Sequence, residues 1–337
     1  MKTLVCVQPR EFQYREDKVP VAREGYSIIR IKRVGICGTD LHAYDGTQPY
    51  FTYPRVLGHE IAAEYISGNA SDLKAGDLCT IIPYLACNKC IACRNGKPNC
   101  CIDLKVCGVH IDGAMSEYYS IPSDALLKTE GLSPDETALI EPLAIAAHGI
   151  RRVIAVKDEH IVIMGAGPIG LGLAAFAKLA GAIVIMVDTR MDRLLFSKEN
   201  LNADHIIDAS TTSVEEEIKK ITNKEMSPVV IDATGNLKAI ESGLSFLSHG
   251  GRYVLVGLQK EDFTFNHPEF HKREATLMSS RNATRNDFEF VIREIKDKII
   301  DPSVLITHKV SFDKAANEFE KFADPANKVI KAIIEFD

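Results

Sequence analysis

No block of lysine and arginine interrupts the 337 residues, and the formal net charge is −6. A phosphate backbone or an anionic membrane would be repelled overall, so nucleic-acid and membrane-surface partners are not expected. No export signal is expected either. The apolar stretch Leu4–Val7 is too short to serve as one, and charges follow at once. The one long apolar run, Ile161 to Val187, carries only Lys178 as a charge. By length it could span a bilayer. It also holds five glycines and Pro168, and it reads instead as strand, turn, helix and strand. Internal repeats and low-complexity tracts are absent. The expectation is a cytoplasmic protein acting on a small molecule.

At roughly 100–200 residues per domain the length suggests two domains. Hydrophobic residues make up 46% and charged residues 26%, ordinary values for a chain that buries a core. The first part is rich in short strand-like runs, such as Tyr26–Val34, Ile61–Ser67 and Leu78–Pro83, bounded by turn residues. After Pro142 the texture changes. Apolar runs at His160–Met164, Ile183–Val187, Ala203–Ile207, Val229–Asp232 and Arg252–Gly257 alternate with helical stretches such as Val214–Ile221 and Leu237–Leu247. Such alternation implies a parallel sheet with helices on both faces. The tail reads as two helices and a final strand, Val329–Phe336, able to close the first domain.

Gly165-Ala166-Gly167-Pro168-Ile169-Gly170 follows one predicted strand and opens a predicted helix. In that context a glycine fingerprint points to a dinucleotide pyrophosphate on a helix N-terminus. Asp188 ends the next strand, 18 residues after Gly170, where a carboxylate accepts ribose hydroxyls and repels a 2′-phosphate. NAD is therefore favoured over NADP, with Arg190 and Arg193 nearby as the opposing signal. The alternative for Asp188 is a helix cap. Thr234, in Ile231-Asp232-Ala233-Thr234-Gly235, follows a later strand at the expected cofactor edge.

Nine cysteines are present, and five lie between Cys87 and Cys101. Cytosolic thiols stay reduced, so clustered cysteines point to a metal rather than to disulfides. Cys87, Cys90, Cys93 and Cys101 have the spacing C-x2-C-x2-C-x7-C, which suits tetrahedral zinc in a closed, structural site. An iron–sulfur cluster can use similar spacings, and Cys100 is the alternative fourth thiolate. Elsewhere Cys37, in Gly35-Ile36-Cys37-Gly38-Thr39-Asp40, and His59-Glu60, after Gly58, supply a Cys, a His and a Glu. Such a set can hold zinc and leave one position open. Taken singly, each of these residues could equally be structural.

Together these motifs, with Glu141-Pro142, resemble the zinc-containing medium-chain alcohol dehydrogenases along essentially the whole chain. Within that family Glu60 and Glu141-Pro142 look like the sorbitol and threonine dehydrogenase branch. Tyr53–Glu60, Gly108–Gly113, Ile140–Ile145, Pro268–Lys272 and Ser280–Thr284 look like bacterial L-galactonate 5-dehydrogenases. The resemblance implies an α/β fold, a Rossmann doubly wound parallel sheet inserted into a β-rich GroES-like catalytic domain. The catalytic domain would be residues 1–143 and 284–337, with a zinc lobe at 86–102, and the dinucleotide domain 144–283. It makes Cys37 and His59 zinc ligands and Glu60 the third, directly or through water, with Glu141 near the metal, able to replace that water or to bind in an alternate state. It gives Thr39 and His42 a proton relay and places Phe51, His110, Arg281 and Asn282 at the substrate. Two zinc ions per chain, NAD+ and a homodimer or homotetramer are implied, with Arg252–Gly257 a candidate for pairing across the interface. The implied reaction takes a hydride from a secondary alcohol of a sugar acid or polyol, L-galactonate included, to give a ketone. Threonine or a general secondary alcohol is the alternative substrate. A non-catalytic NAD(H)-binding protein and a zinc-free NADPH-dependent reductase of the same fold are the rival readings. His267 and His271 are four apart, and Pro268 between them argues against one regular helical face.

Overall fold

The computed structural model describes residues 1–48 and 51–337. The chain divides into two compact units, residues 1–144 with 283–337, and residues 145–282.

The first unit is built on a seven-stranded sheet. Its central strand, Tyr26–Gly35, pairs antiparallel with Glu60–Ser67 on one side and with Lys331–Glu335 on the other. In that register Gly35 lies opposite Glu60 and opposite Ile333. Successive residues of a strand alternate faces, so Lys331, two before Ile333, shares its face. A three-stranded sheet of Glu11–Glu16, Lys2–Gln8 and Arg55–Val56 packs beside it. Leu4, Ile31, Leu57, Ile61, Met115 and Phe319 are fully buried in the common core.

The helix Ile140–Val153 begins in this unit. Pro142 hides it from a reading of sequence pattern, yet a proline in the first helical turn interrupts nothing, because the amide there has no intrahelical partner. Glu141 is thereby set on a helix N-terminal turn.

The second unit carries six parallel strands in the order His205–Asp208, Ile183–Asp188, His160–Met164, Ser227–Asp232, Leu247–Leu255 and Thr276–Ser279. This is the doubly wound order in which the first strand lies at the centre. Ile161, Val162 and Ile163 are completely buried, as expected where helices cover both faces. The run Ile161–Val187 resolves into strand, the helix Pro168–Leu179, and strand. No helix among the described residues is long and apolar enough to cross a membrane.

Three expectations need correction here. The helix from Leu237 ends at Gly243, passes through a 3-10 turn, and the next strand starts at Leu247 rather than Arg252. That strand is paired on both sides, so Arg252–Gly257 offers no free edge; the sheet's edges are His205–Asp208 and Thr276–Ser279. Finally, His267–Lys272 is a helix with Pro268 in its first turn, and the ring centroids of His267 and His271 lie 6.2 Å apart, tilted by 48°.

Candidate metal centres and nucleotide site

Cys37 precedes the short helix Gly38–Tyr44, and His59 and Glu60 lie at the start of the strand Glu60–Ser67. One ligand atom from each of the three falls within 4.8 Å of the others. Asp40 ties these segments together. It is completely buried, and its two oxygens accept the amides of Cys37 at 2.9 Å and Gly58 at 3.2 Å. It also lies 3.7 Å from His59 Nδ1. Burial disfavours charge on His59, but Asp40 and Cys37 outweigh it and lift the imidazole pKa well above the usual value. The sequence pattern alone did not single out Asp40, although it stands in the same motif as Cys37 and Thr39.

Glu60 is completely buried and both its oxygens accept from Lys331 Nζ, at 2.6 and 2.7 Å. The same ammonium donates to the Ile36 carbonyl at 3.1 Å. Burial works against the charge of Lys331, and Glu60 and Cys37 overcome it. The carboxylate comes so near the neighbouring strand that a Cβ on Gly35 would meet Glu60 Oε2 at 2.1 Å. Lys331 is a second residue that the sequence pattern did not reveal.

Glu141 stands outside the group of three. It is 1% exposed, and its Oε1 accepts from the hydroxyl of Tyr84, a third unanticipated residue. Burial pushes its carboxyl up to about 7, with His59 opposing and Glu60 assisting. Thr39 is half-buried and His42 exposed on the helix Gly38–Tyr44, and His42 Nδ1 pairs with Thr47 Oγ1 at 3.1 Å. Phe51 stacks edge-on against Tyr53. His110 Nδ1 accepts the Val106 amide at 3.2 Å. Arg281 and Asn282 belong to the second unit.

Cys87, Cys90, Cys93 and Cys101 offer four sulfurs within 4.8 Å of one another, and Cys100 lies outside the group, exposed. Amides of Cys93 and Ile102 donate toward Cys90 and hold its thiol down at about 6. A thiolate that forms readily is what a zinc ligand needs. All the cysteines are free of disulfides. Four convergent thiols suit a closed tetrahedral zinc site, and Cys37 with His59 suits an open one.

In the second unit the turn after His160–Met164 is shaped by close approach. A Cβ on Gly170 would lie 1.8 Å from the Gly165 carbonyl oxygen, whereas one on Gly167 would reach only Arg193 Nη1, at 3.8 Å. The space beside Gly167 lies next to the helix N-terminus that begins at Pro168, and Ile169 continues that first turn. Asp188 accepts the amides of Ala166 at 2.6 Å and Arg190 at 2.8 Å. It does not cap the next helix, whose N-cap is Arg190. Thr234 donates to Asp232, which is buried.

Residues 23–131 match the alcohol dehydrogenase GroES-like domain, and residues 168–297 match the zinc-binding dehydrogenase family. L-galactonate-5-dehydrogenase of Escherichia coli (strain K12) is 42% identical over 100% of this chain and 99% of its own length. The chain belongs to the zinc-binding alcohol dehydrogenases. Sorbitol dehydrogenase of Bacillus subtilis (strain 168) is 30% identical over 99% of this chain and 97% of its own. The crystal structure of an alcohol dehydrogenase, RspB of Escherichia coli CFT073, complexed with NADH, superposes with a TM-score of 0.94 at 30% identity, covering 100% of this chain and 99% of that one. This zinc-binding alcohol dehydrogenase is therefore an oxidoreductase acting on a small-molecule alcohol, and its fold is a GroES-like domain joined to a parallel nucleotide-binding sheet.

Proposed function

We propose that this dehydrogenase oxidises a secondary hydroxyl of a sugar acid of the L-galactonate type to a ketone, passing the hydride to NAD+ and releasing a proton. The observation that carries this is the full-length 42% identity to a protein named L-galactonate-5-dehydrogenase, together with the intact Cys37, His59 and Glu60 group.

Cys37 and His59, with Glu60 as a third partner, would hold a zinc ion, whose charge would polarise an alcohol oxygen and ease loss of its proton. Thr39 and His42 hold and move that proton: a hydroxyl both donates and accepts, and an exposed imidazole exchanges with solvent. Phe51, His110, Arg281 and Asn282 orient the substrate, and the planar guanidinium of Arg281 matches its carboxylate. Gly165, Gly167, Pro168, Ile169 and Gly170 receive the pyrophosphate, with Arg193 beside them. Asp188 keeps lone pairs for the adenosine ribose, and Thr234 lines the nicotinamide side. Cys87, Cys90, Cys93 and Cys101 hold the second, structural zinc. Free thiols converging on a metal site suit a reducing, cytoplasmic setting. The edge strand Thr276–Ser279 supports assembly into a homodimer or homotetramer by strand pairing.

The test is NADH production measured across L-galactonate, related sugar acids, polyols and threonine. Turnover of L-galactonate above the neutral polyols supports the reading. Preference for sorbitol or threonine at equal concentration overturns the substrate class.

A further inference from the structure

Besides Asp40, two glutamates border the Cys37–His59 pair, and a different donor restrains each. Glu60 is gripped through both oxygens by Lys331 and lies within the ligand-distance group. Glu141 accepts the Tyr84 hydroxyl at Oε1, and its Oε2 is buried without a hydrogen-bond partner among the described residues. A buried carboxylate oxygen with no donor is costly, and a cation held nearby would relieve it. An alcohol dehydrogenase has a reason to resist that remedy. Three protein ligands leave one position for substrate on a four-coordinate zinc, and Glu141 as a fourth protein ligand would fill it.

We propose that Tyr84 is a positioning residue that keeps Glu141 off the catalytic cation and so keeps the substrate position open. The hydroxyl competes with the cation for the Glu141 carboxylate. The Tyr84 ring is held in place by its surroundings: it is buried and packs edge-on against Phe288, centroids 6.2 Å apart. The sheet register and Lys331 fix Glu60 independently, so Glu141 is the member of the pair whose position depends on Tyr84. This inference rests on the assignment of the Cys37–His59 centre.

The test uses full-length protein with cobalt(II) in the catalytic site and zinc retained in the cysteine lobe. Tyr84→Phe removes one oxygen and keeps the ring. With the Tyr84 hydroxyl gone, Glu141 should join the cation. The visible absorption of cobalt should change in the resting protein, and added imidazole should no longer perturb it. Release of the metal to a chelator should slow by about tenfold, the lower end of what an altered outer partner does to metal affinity. In Tyr84→Phe/Glu141→Gln the spectrum, the imidazole response and the release rate should return to those of the parent. Glu141→Gln alone should leave all three unchanged, because Glu141 is not a ligand at rest.

A parental spectrum and release rate in Tyr84→Phe would overturn the proposal, as would a changed spectrum in Glu141→Gln alone. Cys37→Ser distinguishes the two levels. If it keeps the cobalt spectrum, the centre itself is misassigned. If it loses the spectrum while Tyr84→Phe does nothing, only the role of Tyr84 fails.

Discussion

The ammonium of Lys331 bridges both oxygens of Glu60, at 2.6 and 2.7 Å, in a pocket where the lysine is 2% and the glutamate 0% exposed. Removing one member of such a pair leaves an uncompensated charge in low dielectric and costs roughly 3–5 kcal/mol, while replacing both with uncharged groups of similar shape costs far less. We expect Lys331→Met to lower the thermal midpoint sharply and Lys331→Met/Glu60→Gln to recover most of the loss. Equal destabilisation in the single and double variants would show that the charge left on Glu60 is not the cause.

The glycines of the nucleotide turn differ in what surrounds them. At Gly170 a methyl group would overlap the Gly165 carbonyl oxygen, 1.8 Å away. Gly170→Ala should therefore distort the turn, lower the melting temperature and abolish NADH binding followed by fluorescence. At Gly167 the nearest atom is 3.8 Å off, so Gly167→Ala should melt like the parent yet bind NADH roughly tenfold more weakly, a loss of about 1.4 kcal/mol. Parental binding in Gly167→Ala would mean that the pyrophosphate lies elsewhere.

Asp188→Ala should weaken NAD+ and improve relative use of NADP+, because the carboxylate that repels a 2′-phosphate is gone and Arg190 and Arg193 remain. Steady-state kinetics with both cofactors measures this. An unchanged preference would confine Asp188 to its bonds with the Ala166 and Arg190 amides.

Much of this site is legible in the chain itself, because its chemistry is carried by residue types at short spacing. Four cysteines within 15 residues, the glycine turn, and the Cys37 and His59 motifs need no tertiary information. The partners of the carboxylates do need it. Lys331 is 271 positions from Glu60 and Tyr84 is 57 from Glu141, and no local pattern links such pairs. The helices beginning at Ile140 and His267 were obscured for another reason. A proline reads as a breaker until one sees that it occupies a first turn, where its missing amide has no bond to lose.

Metal content separates the two cysteine sites. The parent should hold about two zinc ions per chain, and Cys37→Ser and Cys90→Ser about one each. Cys37→Ser should abolish turnover with little change in melting. Cys90→Ser should lower the melting temperature or solubility, because a closed site contributes binding energy to folding. Retained activity in Cys37→Ser, or unchanged stability in Cys90→Ser, would contradict the respective assignment.

Asp135 provides a pH-dependent test away from the metals. Burial raises its pKa, but Lys309 and Arg33, the latter at 2.8 Å, outweigh it and hold the carboxyl below its usual value. A depressed carboxylate contributes stability above its unfolded pKa of about 3.9, and loses it as pH falls through the folded value. We expect Asp135→Asn to lower the melting temperature by roughly 2–4 °C at neutral pH, with the difference closing as the pH is taken below about 3.9. A gap independent of pH would assign the loss to the place of Asp135 in the first turn of the helix Pro134–Ala138 rather than to charge.

The order of synthesis bears on the strand Lys331–Glu335. It sits inside the seven-stranded sheet, between Tyr26–Gly35 and Ile306–Ser311, and it carries the counter-ion of Glu60. On the ribosome the whole of residues 145–282 emerges before that strand exists. Until then the early strands have an open seam and an acidic side chain without its cation, so the sheet of the amino-terminal portion cannot be completed before that strand emerges.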